Sequence, residues 1–98
     1  MKYYAYILYS SKSDGFYFGS TPNVTLRVKK HNCGLVPSTK PYLPWDLIWY
    51  GYFSDKKLAT DFELYLKSGS GKAFAYKRLI QSGVSRKMAG KGSPKAMP

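Results

Sequence analysis

The sequence predicts an α/β fold: a small three-stranded antiparallel sheet flanked by helices, followed by a disordered basic C-terminal tail. Three observations predict it. Two short aromatic stretches, Tyr4-Ala5-Tyr6-Ile7-Leu8 and Phe16-Tyr17-Phe18-Gly19, read as strands joined by a polar segment whose Ser13-Asp14-Gly15 is a strong turn signal. A third stretch, Trp45 to Phe53, sets Trp45, Leu47 and Trp49 against Asp46, Ile48 and Tyr50, so both of its faces have something to bury. Amphipathic segments over 22–33 and 55–67 supply helices to cover those faces.

Within the hairpin, successive side chains point to opposite faces. Ala5 and Ile7 share one face of the first strand, and Phe16 and Phe18 one face of the second. A single buried surface aligns those four, which places Tyr6 and Tyr17 together on the opposite face. Ser20-Thr21-Pro22-Asn23 then offers capping hydroxyls and a proline suited to a first helical turn. The helix over 22–33 sets Arg27 and His31 one turn apart on the side of Val24 and Val28, about 6 Å from each other. Lys29 and Lys30 look outward, and Gly34 follows the helix end in the usual left-handed position.

Residues 33–44 form a loop punctuated by Gly34, Pro37, Pro41 and Pro44, long enough for a functional role. Its Ser38, Thr39, Lys40 and Tyr42 suit phosphate contact and base stacking; an inert surface connection is the competing reading. Ser54 caps a helix from Asp55 to Lys67 with Leu58, Phe62, Tyr65 and Leu66 as its apolar stripe. Glu63, the single glutamate, lies about 100° from the centre of that stripe and so borders the core. Ser68-Gly69-Ser70-Gly71 is a bend, and a third helix begins near Lys72. The domain is expected over 1–81, with 82–98 a flexible tail of Gly, Ser, Lys and Pro.

Charge narrows the function. Sixteen lysines and arginines against five acids leave a net charge of +11, which attracts polyanions, nucleic acid first among them. A merely soluble basic surface is the alternative. No stretch reads as a signal peptide or a membrane span, and membrane-surface binding lacks a long helix with a basic and a wide apolar face. One cysteine excludes an internal disulfide, and with one histidine it excludes a Cys/His zinc site. A cytoplasmic location fits.

Tyr4-Ala5-Tyr6, Tyr17-Phe18-Gly19, Arg27, His31, Ser38-Thr39-Lys40, Pro44-Trp45, Glu63 and Lys67-Ser68-Gly69-Ser70-Gly71 occur in order over residues 3–80. This set resembles the GIY-YIG endonuclease family, and in particular its small single-domain bacterial members. The resemblance implies catalytic roles for Tyr6, Tyr17, Arg27, His31 and Glu63. One tyrosine activates or orients the attacking water and the other positions the phosphate. Arg27 stabilises phosphate charge, His31 carries a proton or donates a hydrogen bond, and Glu63 binds the metal. A single carboxylate suits Mg2+ (or Mn2+) kept mostly hydrated, and an arginine fork matches phosphate geometry. Lys30, Asn32, Thr39, Lys40, Lys67, Lys72, Lys77 and Arg78 are the expected nucleic-acid contacts. The chain departs from the family pattern at Tyr4, which replaces a glycine, at Ala5, which replaces an isoleucine, and at Ser20, where some members place a lysine. It also lacks the asparagine that many members carry after the glutamate.

The expected activity is metal-dependent DNA cleavage, at branched, damaged or mobile-element sites. A non-catalytic nucleic-acid-binding module on the same scaffold is the alternative. Larger relatives choose targets through appended DNA-binding domains, so a separate targeting protein is one expected partner.

Overall fold

The computed structural model describes residues 2–80; the expected tail over 82–98 lies outside them. Strands β1 (Tyr3–Ser10), β2 (Gly15–Thr21) and β3 (Trp45–Phe53) form one antiparallel sheet in the order β2-β1-β3, with β1 central. The tight β1–β2 turn uses Asp14 at φ 57°, a left-handed position that aspartate tolerates better than most residues. Helix α1 (Val24–Asn32) follows β2, α2 (Lys56–Leu66) follows β3, and α3 (Gly69–Phe74) continues into a π-helical segment, Ala75–Ile80.

The two sheet faces carry separate cores. Ile7 and Phe18 pack with Leu66, Ala75 and Ile80, flanked by Phe16, Ile48, Trp49, Phe62 and Leu79. Tyr6, Leu8 and Trp45 pack with Tyr17, Val28, Leu43 and Leu47 on the other face, beneath α1. The expected division of the hairpin, phenylalanines one way and tyrosines the other, is therefore present.

Strand β3 departs from the expected simple alternation. Ile7 pairs with Trp49 while Leu8 pairs with Leu47, so Ile48 is an extra residue in the ladder. Such a bulge resets the phase of the side chains. Trp45 and Leu47 go to the α1 face, but Ile48 and Trp49 both go to the α2 face. Past the bulge, Tyr50 and Tyr52 pair with Tyr6 and Tyr4 and share their face.

The helix ends also differ in detail. Asn23, not a hydroxyl residue, caps α1 by accepting from the Leu26 amide at 3.0 Å, and Pro22 stands outside the helix. Gly34, at φ 77°, follows the C-cap as expected. Asp55 caps α2 itself. The buried residues of α2 are Ala59 and Leu66, whereas Leu58 is 51% exposed and lies off the stripe. Helix α3 starts before Lys72 because the Ser68 hydroxyl accepts from the Gly71 amide at 3.1 Å and caps it. Gly71 is buried against the end of α2, where a Cβ would collide with the Tyr65 carbonyl group. A backbone that close admits only glycine.

Candidate active site

Tyr6 lies opposite Gly19, and Leu8 opposite Tyr17, in the β1–β2 ladder. The two tyrosines are thus diagonal neighbours on one face, their ring centroids 6.3 Å apart. Gly19 makes room for this. A Cβ there would stand 2.5 Å from the Tyr6 hydroxyl oxygen and 2.6 Å from Cζ, so the phenol lies across the space a side chain would fill.

Helix α1 crosses the same face. Thr21 accepts from the Asn23 amide at 3.1 Å and Asn23 caps the helix, which fixes how the chain leaves β2. At the far end the Asn32 carboxamide donates to the Trp45 carbonyl at 2.9 Å and accepts from the Trp45 amide at 2.7 Å. Pinned at both ends, α1 holds His31 fully buried beside both tyrosines, with ring centroids 6.0 Å from Tyr6 and 5.0 Å from Tyr17.

The His31 ring is gripped on both nitrogens. Nε2 lies 3.0 Å from the Tyr6 hydroxyl and Nδ1 lies 2.8 Å from Thr39 Oγ1. Thr39 directs its own proton to the Val36 carbonyl, 3.3 Å away. A hydroxyl has one proton, so Thr39 accepts from Nδ1–H, Nε2 carries the lone pair, and Tyr6 donates to it. The Trp45 indole donates to the Thr39 carbonyl at 3.0 Å and anchors the loop that presents Thr39.

Electrostatics reinforce the assignment. Burial lowers the pKa of His31 below 6.5, and the nearby Arg27 charge lowers it further, so the ring is neutral at pH 7. Burial raises that of Tyr6 well above 10; Tyr17 and Glu63 add to the rise and Arg27 opposes it. Tyr6 therefore keeps its proton in the resting site and aims it at a neutral imidazole nitrogen.

Arg27 lines a cleft of about 200 Å³ with Thr21, Asn23, Leu26 and Lys30. The two ion pairs among the described residues, Lys57–Asp61 and Lys67–Glu63, both leave it out. Glu63 reaches β2 from the opposite face of the sheet. Its carboxylate accepts from the Ser20 hydroxyl at 2.6 Å and from Lys67 at 2.7 Å. Among the described residues no group of three or more His, Cys, Asp or Glu side chains converges. A part-exposed carboxylate is still a donor set that fits a magnesium ion retaining most of its water.

The structure brings together Tyr6, Tyr17, His31 and the charge of Arg27, with Glu63 joined to β2 through Ser20. Other expected contacts are redistributed. Thr39 is 2% exposed and its hydroxyl is engaged by His31 and Val36, so it does not face a nucleic acid. Asn32 spends its carboxamide on Trp45, and Lys67 pairs with Glu63. Lys30 and Lys40 are exposed on the α1 side. Lys72, Lys77 and Arg78 are exposed on α3 and the π-helical segment, whose buried residues Ala75 and Ile80 pack on the opposite sheet face from the tyrosines. Sequence reasoning missed Thr39 as the partner of His31 and Ser20 as the partner of Glu63. Ser20 and Glu63 stand far apart in the chain, and Thr39 lies across an irregular loop from His31, so no periodicity signals either pair.

A comparison with curated proteins returned no significant match. Among solved structures, the UPF0213 protein BH0048 from Bacillus halodurans, determined in solution by NMR, is 28% identical, with 96% of this chain and 89% of that one covered and a TM-score of 0.47. A family model described as the GIY-YIG catalytic domain matches residues 2–77, which takes in β1, Gly19, α1, the Thr39 loop and Glu63. This chain belongs to the GIY-YIG family.

Proposed function

We propose that this chain is a metal-dependent endonuclease that hydrolyses phosphodiester bonds in DNA. The observation that carries the reading is the buried Tyr6–His31–Thr39 hydrogen-bond chain beside Tyr17 and Arg27. A structural tyrosine–histidine pair would need neither an arginine held outside both ion pairs nor a second tyrosine on the same face.

The proposed reaction is attack of water on phosphorus. As the water oxygen bonds to phosphorus, its proton passes to the Tyr6 oxygen while the Tyr6 proton moves to His31 Nε2. His31 becomes imidazolium, with Nδ1–H still donating to Thr39. The phosphorus–oxygen bond to the leaving strand breaks, and that oxygen takes a proton from solvent. Tyr6 is a poor base by itself, since burial disfavours its phenolate; transfer to a neutral imidazole means no free phenolate accumulates. Arg27, with its five fixed donors, stabilises charge on the phosphate oxygens. Tyr17, half-buried, orients the phosphate through its hydroxyl. Glu63 would hold the divalent ion, with Ser20 steadying one carboxylate oxygen and Lys67 giving up the other. When bound, such an ion would supply Lewis-acid stabilisation of developing negative charge.

One observation favours the alternative, a binding module without cleavage: Lys67 already neutralises Glu63. The test compares wild type, Tyr17→Phe and Glu63→Gln on linear, nicked and branched DNA, in magnesium, manganese and chelator, with binding measured alongside. Metal-dependent cleavage that Glu63→Gln weakens at limiting metal, with metal-free binding intact, supports the enzyme. Binding by the wild type with no cleavage in either metal hands the case to the module.

A further inference from the structure

A second cleft, about 400 Å³, opens on the same sheet face as Tyr6, between the start of α1 and the β1–β3 pair. Its walls include Lys2, Tyr4, Asn23, Thr25, Leu47 and Tyr50, and among the described residues no acidic side chain lines it. The bulge at Ile48 creates this surface, because it turns Tyr50 and Tyr52 onto the face of Tyr6 and Tyr4. Tyr4 meets Tyr50 and Tyr52 edge-on, with centroids 6.0 and 5.8 Å apart. Tyr50 is nonetheless 56% exposed and Tyr52 57% exposed. Tyr50 and Tyr52, more than half exposed and set edge-on against a half-buried Tyr4, are not core, and exposed aromatic surface of this kind marks a binding surface.

The neighbouring cleft indicates the occupant. It holds Arg27 and Lys30 and shares Pro22 and Asn23 with the tyrosine cleft. Two cations suited to a phosphate thus line a cleft that shares two wall residues with an aromatic wall suited to a ring. We propose that the cleft walled by Tyr4 and Tyr50 is a subsite for an unpaired base of a DNA substrate, stacked beside the phosphate that Arg27 engages. In a continuous duplex both π-faces of a base are covered by its neighbours, so an aromatic wall reads a base only where it is bulged, splayed or single-stranded. The proposal rests on the nuclease reading and adds to it the substrate class: DNA with an unpaired nucleotide at the cleavage point.

The test is binding of the full chain in chelator, where nothing is cut. The probes are a DNA duplex bearing a single 2-aminopurine bulge, the same bulge with an abasic nucleotide, and the fully paired duplex. Stacking predicts quenched 2-aminopurine fluorescence and roughly 5- to 150-fold tighter binding of the base-bearing bulge than of the abasic one. Tyr50→Ala should abolish that preference and the quenching, whereas Tyr50→Phe should retain both, since the ring does the work. Tyr50 is exposed, so neither change disturbs the core; a thermal melt verifies folding. Equal affinity of the wild type for the two bulges overturns the proposal, as does a preference that survives Tyr50→Ala. So does sedimentation showing a dimer that Tyr50→Ala splits, because the tyrosines would then cover a second copy. If the preference appears but no DNA is cut in metal, the nuclease reading fails and the subsite stands; cleavage without the preference is the converse.

Discussion

Gly19→Ala probes how the candidate site is assembled with the smallest possible change. In an ordinary strand this substitution helps, because glycine costs roughly 0.5–1 kcal/mol relative to alanine. Here the added methyl would sit 2.5 Å from the Tyr6 hydroxyl oxygen, about 0.9 Å short of the 3.4 Å at which ordinary contact begins. The phenol has nowhere to retreat: Tyr6 is 2% exposed and its oxygen is 3.0 Å from His31. Overpacking of this kind costs about 1–3 kcal/mol. Displacing the hydroxyl adds about 1–3 kcal/mol for leaving a buried nitrogen of His31 without its partner. The penalties exceed the propensity gain, so the variant should melt on the order of 10 °C lower, at about 4–8 °C per kcal/mol for a domain this size. A shift of the phenol by this distance should also slow cleavage about 100-fold. The assay is a double-mutant cycle with Tyr6→Leu, read by urea unfolding. Without the phenol the clash is gone, and Gly19→Ala should then be neutral or stabilising. A Gly19→Ala protein as stable and active as wild type, or a penalty unchanged in the Tyr6→Leu background, would refute the reasoning.

Three further outcomes are expected. Arg27→Ala should lower kcat about 100-fold or more by analogy with the loss of one oxyanion donor, and Arg27→Lys should recover only part of it because an ammonium lacks the fork; equal recovery by lysine would leave Arg27 as a simple point charge. The folded-state pKa of His31 is lowered, so the unfolded chain takes up its proton first as pH falls. The stability this group contributes is complete above pH 6.5 and declines below it, by at most about 1.4 kcal/mol per pH unit, until the folded pKa is reached. Urea midpoints between pH 7.5 and 5.0 should show the decline in wild type and a flatter profile in His31→Gln. Gly71→Ala would drive a methyl into the Tyr65 carbonyl, so the helical segments should fail to pack as seen by a large drop in the far-UV thermal midpoint; an unchanged midpoint would contradict the α2–α3 contact.

Much of the sheet was legible from local pattern. Phe16 and Phe18 against Tyr17, and Ile7 against Tyr6, alternate with period two, and a period that short needs only neighbouring residues to express it. The bounds of β3 and the positions of Arg27 and His31 on α1 followed in the same way, from side-chain spacing along one element. Tertiary structure decided the rest. The bulge at Ile48 sends Trp49 to the α2 face and Tyr50 and Tyr52 to the face of Tyr6, because β3 must satisfy two separate cores with one run of apolar residues. Thr39, which reads as an exposed loop residue, is buried because His31 Nδ1 needs an acceptor once α1 has carried the ring into the core. Ser20 and Glu63 meet only because α2 lies along β2. Periodicity reports which side of its own element a residue occupies; which buried donor finds which acceptor depends on how the elements pack, and that information is distributed over the whole chain.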